Sequence, residues 1–233
     1  CSSDLAIALG ALAAGVNFAS FYPMTPGTSV IQTLIDHADA MGVTVEQAED
    51  EIAAVVMAVG ASYAGARPLV STSGGGFALM TEGVSLAGML ETPVTIVVAQ
   101  RPGPATGLPT RTEQADLDLV LHAGHGEFPR AIFAPGDVAQ CFHLAHRAVD
   151  TAERFQSPVF VLTDQFLADS FRDVAPFDLA ALPAVARPLT TVGDPAGYLR
   201  YAVTDSGVSP RLLPGFTEAM VVLDSDEHAE DGH

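Results

Sequence analysis

Lysine is absent from the 233 residues, so all ten basic side chains are arginines. That absence excludes a phosphate-gripping Walker lysine, a pyridoxal Schiff base and a lysine general base. Cysteine is nearly absent as well. Cys1 and Cys141 alone can neither ligate an iron–sulfur cluster nor build a disulfide framework, so any electron-transfer centre must sit on another chain. The longest nearly uninterrupted apolar stretch, residues 52–66, has 15 residues and carries Ser62 and Tyr63, short of the roughly 20 that span a bilayer. No basic leader with a cleavage pattern opens the chain, so a soluble, cytoplasmic protein with no membrane partner is expected. Positive charge is scarce too. Ten arginines against 28 Asp and Glu give a net charge of −18, a field that repels phosphate backbones and anionic lipid, which argues against nucleic acid as a partner.

What the chain does contain is apolar side chain, 48% of its residues, enough for a substantial core. Helix-length apolar runs alternate with short β-branched runs, the pattern of βαβ units on a parallel sheet. Helices are expected over residues 4–16, 29–41, 49–65, 77–90 and 137–155, and strands over 17–22, 43–46, 69–73, 94–99, 131–134 and 159–164. The helix over 49–65 is apolar nearly all round and must be buried on several sides, within the chain or at an interface. The run Val94-Thr-Ile-Val-Val-Ala99 suits a centre strand covered on both faces. The fold class is therefore α/β, a doubly wound, mostly parallel sheet flanked by helices over residues 1–172, followed by a Pro-rich C-terminal extension over 173–233. Pro176, Pro183, Pro188, Pro195, Pro210 and Pro214 interrupt every periodic segment there, which reads as an arm wrapping the surface. The acidic end from Asp224 to His233 has no apolar face; it reads as solvated and as a truncation point ahead of a further domain.

Four segments carry polar groups to strand ends. Tyr22-Pro-Met-Thr25-Pro26-Gly-Thr-Ser29 joins a strand to a helix and collects hydroxyls and amides where carboxylates are favoured, although a hydroxyl-capped turn explains the same residues. Among Glu46, Glu49, Asp50 and Glu51, acidic residues of a first helical turn complement the dipole; Glu51 lies furthest into the apolar helix, where a carboxyl is removed from water and can share a proton with a ligand. Thr72-Ser73-Gly74-Gly75-Gly76 lacks the spacing and the lysine of a nucleotide loop, and its glycines read as a close approach of backbone to ligand or neighbouring chain. The Pro/Gly/Thr loop over 101–112 follows the clearest strand, at the edge where open α/β sheets bind ligands. Its Arg101 and Arg111 are suited to a bidentate carboxylate grip, or equally to an exposed ion pair. His122 and His125 have no third ligand at zinc spacing, so no metal is expected, and Cys141 reads as a small core residue.

In this order the segments resemble the α subunit of the 2-oxoacid:ferredoxin oxidoreductases, particularly the 2-oxoglutarate:acceptor type. The matching stretches are Tyr22-Pro-Met-Thr-Pro26, the stretch Val45 to Ala54 around Glu-Gln-Ala-Glu-Asp-Glu51, Gly60 to Arg67, the stretch Gln100 to Gln114, and Gly124-His-Gly-Glu-Phe-Pro-Arg130. The chain departs from the family pattern at Gly27, at Gly74-Gly75-Gly76 and at Ala105, where a hydroxyl is missing from the arginine loop; that loss bears on substrate choice more than on cofactor binding.

The resemblance implies the pyrimidine-binding domain of a thiamine diphosphate enzyme that decarboxylates a 2-oxoacid oxidatively and passes the acyl group to coenzyme A. It implies Glu51 as the catalytic carboxyl on the aminopyrimidine ring, with Pro26, Ser73 and Gly74 beside the cofactor. Thr25 and Arg101 hold the substrate carboxylate, and Thr106 and Thr110 shape the rest of the pocket. It also implies a β-subunit partner that carries the diphosphate end, Mg²⁺ and the iron–sulfur clusters, a ferredoxin or flavodoxin acceptor, and self-association through apolar helices. Two rivals are a non-catalytic scaffold subunit of the same fold and a stand-alone nucleotide-binding protein. The second lacks a Gly-x-Gly-x-x-Gly fingerprint after its first strand.

Overall fold

The computed structural model describes residues 1–185, 197–215, 221–224, 226 and 228–232. The chain runs α1 (Ser3–Ala13), β1 (Phe18–Phe21), α2 (Thr28–Met41), β2 (Thr44–Gln47), α3 (Glu51–Tyr63), β3 (Pro68–Ser73), α4 (Gly74–Leu79), α5 (Thr81–Met89) and β4 (Val94–Gln100). It continues through α6 (Leu117–His122), β5 (Ala131–Phe133), α7 (Val138–Phe155), β6 (Pro158–Asp164) and α8 (Gln165–Ala168). The six strands form one sheet in the order β2-β1-β3-β4-β6-β5, and every pairing is parallel. The expected doubly wound α/β class is what forms.

Period-2 alternation sorts the strand side chains onto two cores. Leu69, Val97, Val159 and Val161 face the layer of α1, α2 and α7, whereas Val70, Ile96, Val98, Phe160 and Leu162 face α3, α4 and α5. β3, β4 and β6 are buried along their whole length, as near-continuous apolar strands covered on both faces must be. The strand order reverses twice, between β1 and β3 and between β4 and β6, and both reversals open at the carboxyl edge of the sheet.

Several expectations are corrected here. The glycine run is not a loop: Gly74, Gly75 and Gly76 form the first turn of α4, and the single helix expected over 77–90 is broken at Met80. Helix α3 is not buried on several sides within the chain, because Ile52, Val56 and Met57 are 48%, 42% and 43% exposed. Nor is the acidic end simply solvated. The His228 ring stacks on Tyr201 with centroids 3.4 Å apart, the Tyr201 amide donates to the Glu230 carbonyl at 3.0 Å, and Gly232 is buried. Ser225, Glu227, His233, Pro188 and Pro195 lie outside the described residues.

The arm is pinned by buried arginines. Arg211 Nη2 donates to the Ser62 carbonyl at the end of α3, and its Nη1 lies 3.6 Å from Glu153 of α7. Arg200 donates to the carbonyls of Leu90 and Glu91 after α5 at 2.9 and 2.8 Å and to Gln156 Oε1 at 3.0 Å. These cations sit at the negative dipole ends of helix C-termini and add donors to carbonyls there.

Candidate functional site

At the β1/β3 reversal, the loop after β1 is strapped to β3 by the Ser71 hydroxyl, which donates to the Gly27 carbonyl at 2.7 Å. Past β4, Arg101 turns back under this loop and donates from Nη1 to the Thr25 carbonyl at 2.7 Å. The loop after β1 and the loop after β4 are thereby joined through one guanidinium. Arg101 is 6% exposed, and among the described residues no carboxylate lies within ion-pair distance of it. The exposed ion pair that the sequence left open is not what forms; a buried cation facing the ligand edge is. Its Nε is buried with no hydrogen-bond acceptor.

Helix α3 begins at Glu51, and the acidic run before it divides its labour. Asp50 is the cap, its Oδ1 accepting from the Ala53 amide at 2.7 Å. With the cap supplied, Glu51 turns inward to 3% exposure, and its Oε1 is buried with no hydrogen-bond partner among the described residues. It lies against the α4 turn so closely that a Cβ placed on Gly76 would stand 2.6 Å from Oε1. The glycine at that position is what lets the carboxyl and the helix share the space. Ser73, the residue before that turn, is fully buried, and its Oγ also lacks a partner. Leaving one buried polar atom unmade costs roughly 1–3 kcal/mol, so a pair of them at one sheet edge makes this turn the candidate ligand site.

Beside this turn opens a cleft of about 530 Å³ lined by Gly74, Gly75, Arg101, Thr106, Asp116 and the apolar Met24, Ala78, Leu79 and Leu119. Of the residues expected from the sequence, the structure thus brings Arg101, Thr106 and Gly74 to one cavity. Thr25 is exposed, its backbone bound to Arg101, and Pro26 is buried behind it. Thr110 is exposed and outside the lining of this cleft. His122 and His125 are exposed around a separate depression. Among the described residues no group of three or more His, Cys, Asp and Glu side chains could hold a metal ion, and no helix is long and apolar enough to cross a membrane.

Sequence reasoning missed the polar struts behind the arginine loop. Gln100 Oε1 accepts from the Asp116 amide at 3.0 Å, and Gln114 Nε2 donates to Asp164 at the end of β6. The available signal was the Gln100…Gln114-Ala-Asp116 pattern leading into α6, whose six residues are too few to show a helical period.

A parallel sheet with loops converging on a reversal of strand order, a dry unpartnered carboxyl and a buried cation defines an open α/β ligand-binding domain. Residues 9–232 match the family described as pyruvate flavodoxin/ferredoxin oxidoreductase, thiamine diphosphate-binding. The chain belongs to that family. Its relatives include the α subunit of 2-oxoacid:ferredoxin oxidoreductase 1 from Sulfurisphaera tokodaii, 41% identical over 99% of this chain and 38% of that protein. Another is the 2-oxoglutarate oxidoreductase subunit KorA of Mycobacterium tuberculosis, 41% identical over 75% of this chain and 26% of its own length. Among solved structures, the 2-oxoglutarate:ferredoxin oxidoreductase of Magnetococcus marinus, with 2-oxoglutarate, coenzyme A and succinyl-CoA bound, superposes with a TM-score of 0.95. It is 38% identical and is matched over 100% of this chain and 40% of its own. The chain therefore spans about two fifths of the length of the 2-oxoacid:ferredoxin oxidoreductase it resembles.

Proposed function

We propose that the chain is the pyrimidine-binding part of the α subunit of a 2-oxoacid:acceptor oxidoreductase, carrying out CoA-dependent oxidative decarboxylation together with a β partner. The observation that carries this reading is Glu51, whose Oε1 is buried and unpartnered against a glycine turn in a family defined by thiamine diphosphate. The residues fit the cofactor's aminopyrimidine end: Glu51 would share a proton with a ring nitrogen, and Pro26, Ser73 and Gly74 would line the same turn. When bound, thiamine diphosphate supplies the nucleophilic carbon at which a 2-oxoacid loses carbon dioxide. The chain's own part is to hold that ring in a niche from which water is excluded, where a carboxyl–nitrogen hydrogen bond is worth more than in water.

Arg101, buried and without a carboxylate, would bind the substrate carboxylate with the Thr25 hydroxyl beside it, while Thr106 and Thr110 shape the remainder. A non-catalytic scaffold would have no use for an orphan carboxyl and an orphan cation at one sheet edge, which speaks for the enzyme reading. With two cysteines and no acidic metal cluster among the described residues, this chain leaves Mg²⁺, the diphosphate end and the iron–sulfur clusters to the β subunit, and electrons to ferredoxin or flavodoxin. The exposed Ile52, Val56 and Met57 face of α3 would serve self-association within a cytoplasmic complex.

The test is copurification with the adjacent-chain partner, thiamine diphosphate titration, and a panel of 2-oxoacids with a viologen dye. Saturable cofactor binding with CoA-dependent dye reduction is expected. A stable complex that binds no cofactor and reduces no dye would overturn the reading in favour of the scaffold.

A further inference from the structure

Asp116 has no role in the account so far, yet it lines the same cleft as Arg101. Its backbone amide is fixed by Gln100, and its Oδ2 is buried with no hydrogen-bond partner among the described residues. It is pressed against the first turn of α4, where a Cβ on Gly74 would collide with both of its carboxyl oxygens. The glycine turn is thus flanked by two buried, unpartnered carboxyl oxygens, Glu51 Oε1 at Gly76 and Asp116 Oδ2 at Gly74. Opposite charges sharing a cleft ordinarily close on each other; here Arg101 and Asp116 do not. The guanidinium is held by Thr25 and the aspartate by Gln100, so both stay available to a third party.

We propose that Asp116 is a substrate-contacting residue of the Arg101 cleft, donating a hydrogen bond from its carboxylic-acid Oδ2 to an oxygen of the 2-oxoacid whose carboxylate sits on Arg101. This rests on the functional reading above. The role requires the acid form. An ionised Asp116 would cancel Arg101 and leave the cleft no net attraction for a carboxylate, whereas a neutral Asp116 leaves the cleft cationic and adds a donor. Burial raises the Asp116 pKa above its ordinary value, with the nearby Glu113 carboxylate adding to the effect, and an anion bound alongside pushes the same way. Of the other charged groups around it, Arg101 lines the same cleft, Glu51 lies across the glycine turn, Asp118 opens α6, and Asp164 is engaged by Gln114.

The test uses the reconstituted complex with Asp116→Ala and Asp116→Asn, reading KM and kcat for the 2-oxoacid across pH, with calorimetric binding of oxamate, an unreactive 2-oxoacid mimic. Asp116→Ala is expected to raise KM and weaken oxamate at least about 10-fold, the scale of one buried hydrogen bond to a charged group, with kcat within a few-fold. The asparagine amide still donates, so Asp116→Asn should keep KM near wild type at low pH. Wild-type KM should rise as pH passes upward through the Asp116 titration, and in Asp116→Asn that rise should be gone. Unchanged KM and oxamate affinity in Asp116→Ala, in a complex whose wild type turns over, would overturn the role of Asp116 while leaving the enzyme reading intact. A wild-type complex that turns over no 2-oxoacid would overturn both.

Discussion

Arg101 shows how one side chain can hold a structure together and, on the proposed reading, bind a ligand as well. Its Nη1 ties the two loops at the sheet edge, and among the described residues its guanidinium meets no carboxylate. Replacement by alanine should therefore raise KM for the 2-oxoacid by about 10-fold or more, the loss of a bidentate charge-assisted grip, with a smaller effect on kcat. An unchanged KM would place the carboxylate elsewhere. Cys141 is the contrasting residue. It is buried in α7, and desolvation together with the carboxylates of Asp4, Asp137 and Asp164 pushes its thiol up to about 12. At neutral pH it is a thiol, so it should resist a thiol reagent in the folded protein and react only on unfolding. Modification of Cys141 at the rate of a free thiol in the native state would contradict that burial. The burial of Glu51 and Cys141 was legible in the sequence because depth within an apolar run is read from neighbours in the chain, whereas for Arg101 the same reading left an exposed ion pair open. Asp116 was not, because what isolates its carboxyl is Gly74, which is 42 residues away in the chain.

At the scale of elements, alternation and strand length sufficed for all six strands and for α1, α2, α3 and α7, with no end shifted by more than three residues. The short helices α6 and α8 left no period to read, and the glycine turn of α4 ran against propensity, since glycine in a helix costs roughly 1 kcal/mol relative to alanine. Close packing against Glu51 and Asp116 explains that cost; alanine would relieve it and collide with both. The arm was legible as proline-broken chain, but its anchors were not, because nothing local signals that Arg200 and Arg211 insert beneath it. Glu153 is 2% exposed and lies 3.6 Å from Arg211 and 4.0 Å from Arg67. Arg211→Leu should destabilise the fold by about 3 kcal/mol, because it strips a buried carboxylate of one cation and the end of α3 of a donor. Chemical denaturation reads this directly, and a change below about 0.5 kcal/mol would mean that the arm contributes little to the stability of the sheet.

On the scale of the whole molecule, the charge of −18 and the absence of lysine describe a chain whose scarce cations are placed one by one: Arg101 at the cleft, Arg200 and Arg211 under the arm, Arg67 beside Glu153. The exposed apolar face of α3 and the orphan groups at the carboxyl edge lie at the same end of one helix, since Glu51 and Ile52 are neighbours. On the proposed reading that juxtaposition would join association to chemistry: a partner covering α3 would also close the niche around Glu51. The central claim is that this carboxyl activates the cofactor, and the most direct measurement is turnover of the reconstituted complex carrying Glu51→Gln, a nearly isosteric change. The account predicts an unchanged thermal midpoint and a loss of at least about 10²-fold in 2-oxoacid-dependent dye reduction, the scale of a lost acid–base group. Wild-type turnover from that variant would contradict it.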